Sequence, residues 1–286
     1  TYYIGVLNTS ATTNASYQVY SRGIGTGFSI PIVDLPFVGS QTNSFLPARD
    51  AAYYRVIVPS NAPSWKVRLA AINGECMLSG LRGALPNVDT SVTTGTGFQA
   101  GKAMQKLGNE HYLMLPITGQ TNIPAGTNYL AVIAEGVNPG TGGQIGPGGT
   151  SYVIESLGAL PVPALGLLTS EDLVQPDTIE GGEAKAYQFS VPPFTYGVKV
   201  RLENRVNNPS VVALAGDRMP APGAAVTGLP VDSYGGEGGY TPTEGHSTIV
   251  TLPNPPIGNY TLGVKARSVA GKYPDASYTL SVQEIL

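Results

Sequence analysis

The sequence predicts an all-β protein: two tandem antiparallel β-sandwich domains of jelly-roll or immunoglobulin-like type, plus an amino-terminal β-hairpin that belongs to an incomplete third repeat. Three observations lead there. Glycine (37) and proline (24) are abundant among the 286 residues, and tyrosine (16) outnumbers phenylalanine (6). Glycine and proline punctuate turns, while Tyr, Thr and Val fit pleated surfaces. Short segments alternate apolar and polar residues with period two, and no helical period competes with them. The third observation is a repeat. Tyr54–Pro59 followed by Lys66-Val67-Arg68-Leu69 returns as Tyr187–Pro192 followed by Lys199-Val200-Arg201-Leu202. A repeat of this length bears on architecture before any single residue does.

The elements follow in order. In residues 1–25, Tyr2-Tyr3-Ile4-Gly5-Val6 and Ala15-Ser16-Tyr17-Gln18-Val19 flank the polar Asn8–Asn14 loop, which predicts a half-buried hairpin. The same two phrases end each full repeat, as Asn128–Val132 with Thr150–Ile154 and as Tyr260–Val264 with Ala276–Leu280. Residues 1–25 therefore read as the ending of a repeat whose body is absent. In the first full repeat, residues 26–160, strands are expected at Tyr53–Val58, Trp65–Ala71, Cys76–Leu81, Tyr112–Pro116, Tyr129–Ala134 and Ser151–Glu155. Gln99–Leu107 is the one place where a turn or two of helix is expected. Ala159–Gly166, with two prolines, reads as a semi-rigid spacer. In the second repeat, residues 161–286, strands are expected at Ala186–Val191, Val198–Glu203, Val211–Ala215, Thr248–Leu252, Thr261–Ala266 and Tyr278–Gln283.

Strand alternation also sorts side chains. Val67 and Leu69 share one face, and Lys66 and Arg68 the other. The basic pair reads as a solvated face with long side chains lying across it, or as a ligand stripe repeated in both domains. Trp65 aligns with Val198 at an inward position and is expected in the core.

Several functions are excluded or unsupported. A net charge of −3 with scattered basic residues gives no footprint for nucleic acid or an anionic membrane. No apolar stretch is long enough to span a bilayer, and no leader pattern opens the chain. The single cysteine, Cys76, cannot form an intrachain disulfide and reads as a buried small hydrophobe. The two histidines, His111 and His246, are read as matched positions in the two repeats, too far apart for one catalytic or metal site. No Gly-x-Ser-x-Gly elbow, phosphate loop or zinc spacing occurs. No catalytic residue and no cofactor is expected. Asp217, Asp232, Glu237 and Glu244 leave a loop calcium ion open, with a solvated loop the plainer reading.

The phrases Tyr54–Pro59, Tyr187–Pro192, Gly258–Val264 and Ser277–Leu280 resemble the bacterial pre-peptidase C-terminal domain, a β-sandwich module of secreted proteases and large surface proteins. The resemblance covers both repeats and implies an extracellular or cell-surface, non-enzymatic role. The acidic phrase usual in that family departs here to Gly74–Ser79 and Asn208–Ala213, which makes calcium at that strand unexpected.

Three functions remain open on the sequence. The first is a structural or adhesive protein that associates with itself or with neighbouring domains of a longer chain. It would assemble head to tail by strand complementation, with Tyr2, Tyr3, Ile4, Val6, Tyr17 and Val19 as the interface. The second is an accessory module of a secreted hydrolase. The third is a carbohydrate-binding module meeting an extracellular polymer through the loop residues Tyr234, Tyr240 and Tyr273.

Overall fold

A computed structural model describes residues 4–8, 10–19, 30–86, 102–104, 108–116, 120–136, 148–217, 248–266 and 274–285, with the side chains of 102–104 and Gly136 left aside. The chain divides into two compact units, Thr1–Pro31 and Ile32–Leu286. Seventeen strands and no helix occur among the described residues, all of the strands in the second unit.

The first sandwich contains β1 (Ile32–Asp34), β2 (Val38–Leu46), β3 (Ala51–Val58), β4 (Trp65–Asn73), β5 (Glu75–Arg82), β6 (Lys102–Met104), β7 (Glu110–Met114), β8 (Gly126–Gly136) and β9 (Thr150–Leu157). The second contains β10 (Ala164–Leu167), β11 (Leu173–Ile179), β12 (Ala184–Val191), β13 (Gly197–Val206), β14 (Pro209–Ala215), β15 (Ile249–Pro253), β16 (Gly258–Ala266) and β17 (Ala276–Ile285). The sheet orders are β1-β3-β8-β5-β6 and β2-β9-β4-β7 in the first, and β10-β12-β16-β14 and β11-β17-β13-β15 in the second. Apart from the additional β6, the two are the same fold, strand for strand. Even the edge is repeated: β1 runs parallel to β3, and β10 parallel to β12, in otherwise antiparallel sheets.

Two cores follow from period-two alternation. In the first, Tyr54, Val56 and Val58 face Trp65, Val67 and Leu69 across the sandwich, with Leu130, Val132, Tyr152 and Ile154 between their neighbours. In the second, Tyr187, Phe189 and Val191 face Val198, Val200 and Leu202. Trp65 is fully buried, donates Nε1–H to Ser156 Oγ at 2.8 Å and meets the Tyr112 ring edge-on. Each core also carries a tyrosine pair that ties one sheet to the other. Tyr54 and Tyr152 hydroxyls lie 2.7 Å apart, and Tyr187 and Tyr278 hydroxyls 2.6 Å apart.

The structure departs from sequence expectation at four places. The repeat's last two phrases do not pair with each other: β8 and β9 lie in opposite sheets, as do β16 and β17. Alternation marks a half-buried strand but carries no information about its partner. Lys102–Met104 is a strand paired with β5 and not a helical turn. Within Ala159–Gly166, Ala164–Gly166 joins the edge strand β10, and Gln188 N–H donates to Pro163 O at 3.0 Å. Proline is tolerated there because an edge strand has one unpaired side. In residues 4–8 and 10–19 the polar turn is formed, by Asn8 Nδ2–H to Thr13 O and by Ser10 and Thr13 bonds, but no strand is assigned.

Candidate functional site: the joint between the sandwiches

β4 presents Lys66 and Arg68 on the outer face of its sheet, because Val67 and Leu69 take the inner one. Register places Arg68 opposite His111 of β7 and Glu155 of β9, and Lys66 opposite Leu113. The other side of the joint is the Glu180-Gly181-Gly182-Glu183 turn between β11 and β12. Gly182 has φ 80°, a left-handed conformation that glycine adopts without strain. Glu183 N–H donates to Glu180 O at 2.9 Å, and Glu183 Oε2 accepts from Glu180 N–H at 2.9 Å. The turn is thereby fixed, with both carboxylates aimed at the first sandwich.

The Arg68 guanidinium grips Glu180 with two bonds, Nε–H to Oε2 at 2.9 Å and Nη2–H to Oε1 at 2.7 Å, and reaches Glu155 Oε2 at 2.9 Å. Asn109 Nδ2–H donates to Glu180 Oε1 at 3.1 Å, and His111 Nε2 lies 3.1 Å from Glu180 Oε2. Lys66 Nζ bonds Glu183 Oε1. Around these charges, Leu113, Leu115 and Leu160 of one side pack on Ala184 and Ala186 of the other. Leu160 N–H is held by Ser64 Oγ at 2.8 Å.

The electrostatics match this geometry. Lys66 and Glu183 are each 9 % exposed. His111 beside Glu180, and then Arg68, hold the Glu180 carboxyl well below the usual range against the opposing effect of burial. Burial of His111 pushes its imidazole below its ordinary pKa, which outweighs the nearby carboxylates. Burial also pushes the Cys76 thiol up to about 12, so it is no nucleophile at neutral pH.

Lys66 and Arg68 are thus neither a solvated face nor a free ligand stripe, because a second domain covers them. Alternation fixed where they point but not what they meet. Glu180, Glu183, Asn109 and the role of His111 were missed. The signal in the sequence was the Glu-Gly-Gly-Glu turn preceding the repeated Tyr187 phrase. The matched-histidine reading is overturned by register: Arg201, the counterpart of Arg68, lies opposite Ile249, so the counterpart of His111 is Ile249 and not His246.

Ile4, Val6, Tyr17 and Val19 are exposed; Tyr2 and Tyr3 lie outside the described residues, as do Tyr234, Tyr240, Tyr273 and His246. Of the loop-calcium candidates, Asp217 is described and accepts bonds from Gln188 at 2.9 Å and Asn259 at 2.8 Å; Asp232, Glu237 and Glu244 are outside. No metal-binding cluster occurs among the described residues, and no described helix is long and apolar enough to cross a membrane.

No protein-family model and no curated protein matches the sequence. The resemblance to the pre-peptidase C-terminal domain therefore rests on its quoted phrases. Among solved structures, a candidate secreted protein from Eubacterium rectale aligns at 12 % identity over 93 % of this chain and 82 % of that one, with TM-score 0.25. The CUB1-EGF-CUB2 region of human MASP-1/3 aligns at 8 % identity over 87 % of this chain and all of that one, with TM-score 0.20. Tripeptidyl peptidase 2 aligns at 9 % identity over 90 % of this chain but 24 % of its own, with TM-score 0.23. Overlaps this loose carry no functional argument.

Proposed function

We propose that this chain is a non-catalytic structural or adhesive protein acting outside the cell, in which consecutive β-sandwiches are locked to one another so that the array keeps its shape. The joint supports this reading: a fork of arginine on one carboxylate, a lysine on another and a ring of small and branched apolar side chains fix both angle and register. Such a contact resembles the core of a permanent interface more than a flexible linker. The finer reading is head-to-tail assembly, with residues 1–23 completing a sandwich that lacks its last strands, in a neighbouring chain or in an upstream part of the same long protein. The exposure of Ile4, Val6, Tyr17 and Val19 supports it, since apolar side chains in water favour a partner. In this fold the phrases that residues 2–6 and 15–19 match, β8 and β9, are internal strands of opposite sheets. A donated segment would therefore fill both sheets at once.

Small-angle scattering tests the rigid relation. The wild type is expected to give a distance distribution with two well-separated features. Lys66→Glu with Arg68→Glu is expected to smear the longer one and raise the radius of gyration. An unchanged curve would sink the idea that the charged joint sets the geometry.

A further inference from the structure

We propose that the trailing end of the second sandwich, centred on Lys199 of β13, docks the Pro47–Asp50 turn of a second copy of this chain. The proposal deepens the head-to-tail reading above and rests on it. Its basis is that the molecule contains one joint in the closed state and both halves of the same joint in the open state.

The open basic half comes from strand equivalence. Lys199 and Arg201 occupy on β13 the places of Lys66 and Arg68 on β4. Arg68 lies opposite His111 and Glu155; Arg201 lies opposite Ile249 and Ser281. In the first sandwich this face is covered. In the second, Lys199 is only half-buried and Ile249 is exposed. At its rim, Phe194 and Tyr196 are 93 % and 74 % exposed, beside exposed Ile257. Phe194 holds φ 67°, a left-handed conformation uncommon for a bulky residue. Arg201 Nε and Ser281 Oγ, next to each other in register, are buried without a hydrogen-bond partner among the described residues. This face thus has a basic centre and an apolar rim with no cover, although Thr251 stands opposite Lys199 where Leu113 stands opposite Lys66, so its apolar rim comes from the turn before β13.

The open acidic half is the β2–β3 turn. Pro47-Ala48-Arg49-Asp50 has the backbone of Glu180-Gly181-Gly182-Glu183. Asp50 N–H donates to Pro47 O at 3.1 Å, as Glu183 N–H does to Glu180 O. Ala134 N–H donates to Asp50 O at 3.0 Å, as Ala266 N–H does to Glu183 O at 3.2 Å. The third residue is left-handed in both, Arg49 at φ 66° and Gly182 at φ 80°. On the backbone Asp50 therefore holds the place of Glu183, and Ala51 and Tyr53 hold those of Ala184 and Ala186. The Asp50 carboxylate accepts from Ala51 N–H at 2.9 Å in place of the bond that Glu180 N–H gives Glu183, since Pro47 has no N–H.

Charge decides how strong the contact is. Asp50 meets Lys199 as Glu183 meets Lys66. Pro47 replaces Glu180, so Arg201 gains no carboxylate from the copy; it already has Glu203, at 3.1 Å. Arg49 adds a like charge near the basic face. The joint between copies is thus a weakened version of the internal one, held by one ion pair and the aromatic rim, and sensitive to salt. Both halves lie on different surfaces of one molecule, so the contact is heterologous and propagates beyond a dimer.

Sedimentation velocity of the full chain over a wide concentration range, at low and high salt, tests this. Expected is open-ended association at low salt that weakens at high salt. Lys199→Asp and Asp50→Lys are each expected to raise the apparent Kd about tenfold. The double variant, which exchanges the charges, restores association and shows that the single variants fold. Ile4→Asp with Val6→Asp separates the two readings. If only that variant dissociates the protein, the Lys199 dock is overturned while strand complementation stands. If the wild type remains monomeric throughout, the dock and head-to-tail assembly are both overturned.

Discussion

At the scale of the residue, the two tyrosine pairs show how one device is reinforced differently in two copies. In the first sandwich Asn43 Nδ2–H donates to the Tyr152 hydroxyl at 3.3 Å, a long neutral bond. In the second, Asp177 accepts from the Tyr187 hydroxyl at 2.5 Å and from Lys185 Nζ at 2.8 Å. Burial opposes ionisation of Asp177, but the bonds from Lys185 and Tyr187 outweigh it and hold its carboxyl below the usual range. Removing the Tyr187 hydroxyl thus deprives a charged acceptor and the Tyr278 hydroxyl together. Tyr187→Phe is expected to cost about 2 kcal/mol, and Tyr54→Phe about 1 kcal/mol, because hydrogen bonds to charged groups count for more. Urea midpoints of the two variants check the order; equal losses would count against a special role for Asp177. The inward positions of both phrases, and of Trp65 with Val198, were legible from alternation alone. The identity of the third partner was not, since Asn43 and Asp177 come from β2 and β11, strands the sequence did not announce.

At the scale of the element, the reason for that silence is visible. β2, Val38-Gly39-Ser40-Gln41-Thr42-Asn43-Ser44-Phe45-Leu46, buries only its last residue, and β11 contains a proline. Edge strands bury one side poorly and show no clean alternation. Within Ile32–Leu286 every strand expected from alternation is present, because each buries one face, whereas the described part of the amino-terminal hairpin, whose Ile4, Val6, Tyr17 and Val19 are exposed, has none. The turn that ends β11 is also where acid should act. The Glu180 pKa is lowered in the fold, so its contribution is complete above its ordinary value of 4.5 and is lost as pH falls below that. The His111 pKa is also lowered, so below about 6.5 the unfolded chain takes up a proton that the fold refuses. Both signs agree: stability is expected to be level above neutrality, to decline below that pH and to steepen below pH 4.5. Glu180→Gln should lower stability at pH 7 and flatten the acid limb. Urea midpoints measured across this range read both; an identical acid limb in the variant would remove Glu180 from the account.

At the scale of the whole molecule, duplication gives two independent cores, and the joint decides whether they behave as one. Each core has its own buried cluster, and a third small cluster, Leu113, Leu115, Leu160, Ala184 and Ala186, bridges them. None of these five marks itself as an interface in sequence, since an apolar residue on an outward strand position looks the same whether another domain or water covers it. The Lys66–Glu183 pair is mostly withdrawn from water, so reversing one partner leaves a like-charge contact that neither solvent nor geometry relieves. Loss of a partner in such a pair costs about 3 kcal/mol or more. A loss of that size is comparable to what burying one or two leucine side chains contributes, about 1.5–3 kcal/mol each, so it is large enough to weaken the coupling across the joint. Calorimetry of the wild type is therefore expected to show one coupled transition. Glu183→Lys is expected to split it in two, with the second sandwich, which carries the altered turn, melting first. Lys66→Glu combined with Glu183→Lys reverses the pair without removing it and should bring the transitions back together. A single transition in Glu183→Lys would show that the apolar contacts alone couple the sandwiches, and that the ion pairs set their orientation without contributing to their cooperativity.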